Sequence, residues 1–155
     1  MTAYLIAAAS WFAICGVPLI WTDIKNRRLP NAITIPAYPG TLILLVAVTA
    51  VGNRPDRLLS ALLSGFALAV FYLTLALGLP GGVGIGDAKL SASLGTLLGW
   101  LGWRVVLTGT FAAFALAAIY GIGMVLARHA RLGQHIPFAP FMIVSALAAI
   151  TAANV

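Results

Sequence analysis

The sequence predicts an all-α, polytopic membrane protein of about six helices joined by short loops. Three observations carry that reading. Hydrophobic residues make up 62% of the chain and charged residues 8%, with a mean hydropathy of +1.06; a water-soluble core cannot absorb so much apolar surface. The apolar residues fall in long continuous runs, unlike the short alternating segments of an outer-membrane barrel. A crossing helix needs roughly 20 residues, so 155 residues allow six or seven crossings and leave no room for a separate soluble domain. Residues 1–155 are therefore expected to form a single membrane-embedded domain.

Taken in order, the first apolar run is Tyr4–Trp21, ending on an aromatic suited to a membrane interface. It lacks the basic segment that opens a signal peptide, so a retained helix is expected. Cys15, the single cysteine, lies in this run and is expected to serve as a small buried hydrophobe. Asp23–Pro30 is a polar turn carrying Lys25, Arg27 and Arg28. The second run is Asn31–Val51, with Pro36 and Pro39 expected to kink or partly unwind its start. Gly52–Asp56 is a turn, Arg57–Leu79 the third run, and Pro80–Gly86 a glycine-rich loop. The fourth run, Asp87–Trp103, is short; Ala88, Ser91, Ala92, Gly95 and Gly99 line it with small residues suited to close helix packing. Arg104–Ala127 and Pro137–Ala153 are the fifth and sixth runs, separated by the polar stretch Arg128–His135.

The net charge of +6 is scattered between apolar runs and forms no cluster for tracking a phosphate backbone, so it marks topology and not nucleic-acid binding. With both termini outside, the inside loops hold six basic residues (Lys25, Arg27, Arg28, Lys89, Arg128, Arg131) against three outside (Arg54, Arg57, Arg104). The positive-inside rule selects that orientation. It places Asp23 and Asp87 at the same, cytoplasmic, membrane face and Asp56 at the other.

These three aspartates are the only acidic residues. A carboxylate at the edge of an apolar run is costly and marks a functional site by default. Asp87 follows Gly81, Gly82, Gly84 and Gly86, which let another backbone approach without a Cβ in the way. Two carboxylates at one depth on different helices can form an acid–base pair: brought close, they cannot both ionise cheaply, and one keeps its proton. The ionised member then activates a water while the protonated member polarises a scissile carbonyl. A plainer reading stands beside this one, with Asp23 pairing to Arg27 and Asp87 capping the fourth helix.

Other protease chemistries fit less well. A zinc protease wants HExxH; the chain has no glutamate, and its histidines, His129 and His135, lie in the last polar loop, where lipid phosphates are within reach. Neither the lone cysteine nor these histidines make a metal set. Ser64-Gly65 lies far from either histidine and forms no nucleophile elbow. Phe138 and Pro140 are read as packing at the start of the last helix.

Three segments together resemble the type IV prepilin peptidases, membrane aspartic proteases of the GxGD type. Asp23-Ile-Lys-Asn-Arg-Arg-Leu-Pro-Asn31 looks like the family's first aspartate, basic turn and Pro-Asn pair. Gly84-Ile-Gly-Asp87-Ala-Lys-Leu90 matches GxGD with its following Lys-Leu, and Ile136-Pro-Phe-Ala-Pro140 is similar to the Pro-Phe-x-Pro that opens the last helix. Ala139 stands where a glycine is frequent. The resemblance covers nearly the whole chain. It implies removal of a short basic leader from prepilins or pseudopilins at the cytoplasmic face of the inner membrane, with no cofactor. Asp23 and Asp87 would be the catalytic pair; Gly84, Gly86, Lys89, Asn31 and Pro137 would shape the site or bind substrate. Larger members carry a cytoplasmic domain between the first two helices and also N-methylate the pilin. The short Asp23–Pro30 turn leaves no room for it, so the chain looks like the compact peptidases of tight-adherence (Flp-type) pilus systems, without methyltransferase activity.

Two other classes stay open on residues alone: a small transporter or channel subunit using Asp87 as a proton or cation relay, and a pilus-assembly scaffold that binds pilin without cutting it. Short loops and small-residue stripes fit a monomer or a dimer equally.

Overall fold

Six helices and no strand make up the described part of the molecule. The structure is a computed structural model, and it describes residues 2–26, 31–78, 83–127 and 138–153. The helices are α1 (Thr2–Asn26), α2 (Asn31–Gly52), α3 (Pro55–Gly78), α4 (Ile85–Leu101), α5 (Trp103–Leu126) and α6 (Ala139–Ala153). All six apolar runs have become helices. Two of them, α3 and α5, are long and apolar enough to cross a membrane; the apolar helical stretches Pro36–Gly52 and Ala139–Ala153 are shorter.

Helix α4 is the axis of the bundle. It packs against α2, α3, α5 and α6, most extensively against α3, while α1 lies against α2 and α6. From Ser93 to Trp100 every residue of α4 is buried. The outer helices turn large apolar side chains outward, with Phe66 on α3 72% exposed and Phe111 on α5 77% exposed. An apolar exterior around a core that holds serines and threonines is what a lipid solvent favours, since water does not oppose it there.

The small-residue stripe of α4 does what its spacing suggests. A Cβ on Gly95 would lie 2.8 Å from the Ser64 carbonyl oxygen of α3, so only glycine permits this crossing. The approach lets the Ser64 hydroxyl donate to the Gly95 carbonyl at 2.8 Å and the Ser60 hydroxyl donate to the Gly99 carbonyl at 2.9 Å. Beyond Leu101 the chain turns on Gly102, whose φ of +126° suits glycine, and α5 begins one residue later.

The helices depart from the sequence expectation at several points, three of which shape the bundle. Asp23 and Lys25 belong to α1 and not to a turn, because α1 continues to Asn26; polar side chains do not end a helix whose backbone bonds are made. The fourth helix begins at Ile85, so Gly86 is helical and Asp87 is its third residue, capping the helix start from within it. The cause is local: the Asp87 carboxylate reaches back to the Gly84 N–H at 3.0 Å, which lets the helix start earlier. Finally, α2 is helical through Pro36 and Pro39, with no unwound turn. As the sixth and ninth residues of α2, the prolines each give up one backbone N–H bond, and the helix carries on past both.

Candidate active site

One end of the bundle gathers the C-terminal end of α1, the start of α4 and the start of α6. Each contributes one group. Helix α1 supplies Asp23 and α4 supplies Asp87, and each aspartate is 6% exposed. Helix α6 supplies a backbone donor: the Ala139 N–H is hydrogen-bonded to Asp23 Oδ2 at 3.2 Å.

The two acids are held by the same device. Asp87 Oδ2 accepts the Gly84 N–H at the start of α4. Asp23 accepts the first N–H of α6, whose preceding residue, Phe138, has no side-chain acceptor to cap the helix; the Phe138 carbonyl takes the N–H groups of Phe141 (3.1 Å) and Met142 (3.2 Å). Asp23 thus caps a helix to which it does not belong. Helix N-termini carry partial positive charge and stabilise a nearby anion. Two such ends converge here, and the two carboxylates lie within electrostatic reach of one another.

This arrangement can do acid–base chemistry. Two buried carboxylates that sense each other titrate as a pair, and such a pair can share a single proton because the second charge is resisted by the first. Among the described residues, no group of three His, Cys, Asp or Glu side chains forms a metal-ligand set.

The structure brings together Asp23, Asp87, Gly84 and Gly86. Lys89 lies on the exposed side of α4, two residues beyond Asp87. Asn31 opens α2, but its side chain is outside the described residues, as are Pro137, Arg27 and both histidines. Asp56 stands apart, exposed on the first turn of α3. That turn is at the far end of the bundle, because the neighbouring Arg57 donates to the Trp100 and Leu101 carbonyls (3.2 and 3.0 Å) that close α4. Ser64 spends its hydroxyl on backbone carbonyls. Cys15 is half-buried.

Phe138 packs as expected for a helix start: it is buried, with its ring centroid 5.0 Å from that of Phe114 and 5.9 Å from that of Tyr72. Sequence reasoning missed two participants. One is the Ala139 N–H, which no residue identity announces. The other is the ring cluster behind it, in which buried Tyr72 of α3 stacks on Phe114 and meets Phe138; an aromatic in an apolar run carries no mark of such packing.

Residues 6–122 match the type IV leader peptidase family. The curated relatives are each named a prepilin leader peptidase/N-methyltransferase. That of Aeromonas salmonicida (strain A449) is 32% identical over 133 residues, covering 83% of this chain and 43% of the relative. That of Pseudomonas putida is 28% identical over 151 residues, covering 92% and 51%. That of Bacillus subtilis (strain 168) is 32% identical over 119 residues, covering 77% and 45%. The chain spans about half the length of the curated relatives it matches. No solved structure matches it significantly. A match over most of the chain, with the acid pair described above inside it, defines the class: the chain belongs to the type IV leader peptidase family.

Proposed function

We propose that this chain is a membrane aspartic endopeptidase that removes the basic leader from prepilins or pseudopilins, using Asp23 and Asp87 to activate water. The observation that carries the reading is the convergence of these two buried acids, from helices far apart in sequence, at one end of the bundle.

The chemistry follows from a pair holding one proton. The ionised carboxylate takes a proton from a water molecule, whose oxygen attacks the scissile carbonyl carbon. The protonated carboxyl gives its proton to the carbonyl oxygen, leaving a tetrahedral diol. The proton gained from water then passes to the amide nitrogen as the C–N bond breaks, and the carbonyl reforms as one diol hydroxyl gives its proton to the other, now ionised, carboxylate. Gly84 and Gly86 leave space beside Asp87 for a substrate backbone. Lys89, Asn31 and Pro137 are proposed to shape the site around it.

The distribution of basic residues supports six crossings with both termini outside, which would open the acid end to the cytoplasm of the inner membrane. A basic leader would meet it there while the pilin's hydrophobic helix stays in lipid. Only residues 27–30 separate α1 from α2; this supports a single peptidase domain without a methyltransferase insert.

The test is co-expression with a tagged prepilin and a gel shift, comparing wild type with Asp87→Asn. Cleavage that needs Asp87 supports the reading; cleavage by an inserted Asp87→Asn protein sinks the pair mechanism. The wild-type rate should also fall at both pH extremes. At low pH both acids are protonated and no base remains, and at high pH both are ionised and no acid remains.

A further inference from the structure

Helix α4 is enclosed along most of its length and open along one strip. Every residue from Ser93 to Trp100 is buried, and nearer the acids Asp87, Ala88, Leu90 and Ser91 are buried too. Ile85, by contrast, is 58% exposed, Lys89 is exposed and Ala92 is half-buried. These three are spaced i, i+4, i+7 and so share one face of the helix. The opening has a direction and is more than the exposure of a helix end.

Contacts further along α4 fix the neighbours of that face. Thr96, the next residue on it, is buried against α3: a Cβ on Gly65 would meet the Thr96 hydroxyl and would lie 2.9 Å from the Ala92 carbonyl oxygen. Trp100, on the adjoining face, donates to Thr49 of α2. The strip therefore runs between α2 and α3. These two helices are linked at the far end by Asn53 and Arg54, and they pack far less against each other than α3 does against α4. They close over α4 at Thr96 and leave it uncovered at Lys89 and Ile85, so a largely apolar cleft widens toward the acid end. On α2, Leu42 lies two turns before Thr49 on the same side; on α3, Ala69 and Ala76 continue the side begun by Gly65. All three are half-buried, and the alanines let another helix come close.

The cleft ends at the start of α4, beside Gly84. Among the described residues a Cβ on Gly84 would meet only Asp87 Oδ2 and the Gly86 nitrogen, at 3.4 and 3.9 Å. Asp87 itself lies two residues from both Ile85 and Lys89, on the other side of the helix from the cleft. A chain leaving the cleft reaches Asp87 by crossing the glycines. We propose that the cleft between α2 and α3 seats the hydrophobic helix of the prepilin, and that the residues just before that helix cross the start of α4 in extended form and bring the scissile bond to the acids. This rests on the peptidase reading above. A lipid tail would also fit an apolar cleft, but it has no chain to pass on; the continuity of the cleft with Gly84 and Asp87 selects the substrate helix.

The experiment places the photo-crosslinker p-benzoylphenylalanine at Ile85 in the cleft or at Phe111 on the outer face of α5, in the full chain in membranes with a tagged prepilin. Illumination should join the pilin's hydrophobic helix to position 85 and not to position 111, as read by mass spectrometry. A second arm fills the cleft with Ala69→Phe. The KM for full-length prepilin should rise about tenfold at unchanged kcat, the mark of lost ground-state binding, and cleavage of a leader peptide that ends before the helix should suffer far less. Crosslinks to lipid alone from position 85, or pilin crosslinks as abundant from position 111, overturn the proposal. So does an unaltered KM in an inserted Ala69→Phe protein. If Ala69→Phe does not insert, the crosslinks decide alone. If wild type cuts no prepilin, the peptidase reading fails; a pilin crosslink from position 85 then still supports the cleft as the seat of the helix, and its absence overturns that as well.

Discussion

The two ends of α4 are fastened in opposite ways. At its C-terminal end the Arg57 guanidinium binds the last carbonyls, Ser60 donates to Gly99, and the Trp100 indole N–H donates to the Thr49 hydroxyl at 3.0 Å. A cation on the negative end of a helix and two further bonds over-determine that end. At the N-terminal end the charges are acids, and each accepts a backbone donor from a helix start. One end is built to stay. The other, among the described residues, holds its acids by fewer bonds, which suits the proton exchange proposed for them.

That contrast can be broken from either end. The largest effect is expected from Asp23→Asn, which should lower prepilin cleavage at least about a hundredfold, whereas Asp56→Asn should leave it unchanged; a gel shift of the tagged pilin separates the two. Next comes Gly95→Leu, which forces a side chain against the Ser64 carbonyl and parts α3 from α4. Overpacking of this kind costs about 1–3 kcal/mol, occasionally more, and should show as a lowered midpoint of thermal unfolding in detergent. Arg57→Met removes two charge-assisted bonds at a half-buried position; a loss of about 1 kcal/mol with cleavage retained is expected from the same melt and gel. The smallest effect should be that of Asp56→Asn on stability, within about 0.5 kcal/mol for a surface change. An Arg57→Met protein that is stable but inactive would erase the distinction between the ends.

Much of this was legible beforehand because lipid imposes simple rules. Continuous apolar runs mark helices whatever their tertiary neighbours, and all six runs are helical. Small residues at helical spacing marked the α3–α4 contact, and counting basic residues placed Asp23 and Asp87 at one end. The helix boundaries were less legible. The early start of α4 depends on where the Asp87 side chain turns, which propensity does not encode. Least legible were contacts made by backbone or by unremarkable side chains: the Ala139 N–H on Asp23, and Arg57 on carbonyls forty-three and forty-four residues away. Partners of that kind are set by packing. The same letters elsewhere in the chain mean nothing of the sort.

Helix α4 has 17 residues and so measures about 25 Å, at roughly 1.5 Å per residue. A typical hydrocarbon layer is about 30 Å thick. On the proposed topology the bilayer meets this hydrophobic mismatch by thinning around the axis, or by leaving the acid end recessed below the head groups. Either adjustment brings water down to the carboxylates without lifting the pilin's apolar helix out of lipid. The peptide bond to be cut then lies where that helix surfaces. Membrane thickness becomes a variable of the reaction: reconstitution into lipids of longer acyl chain should slow cleavage, with the fold intact.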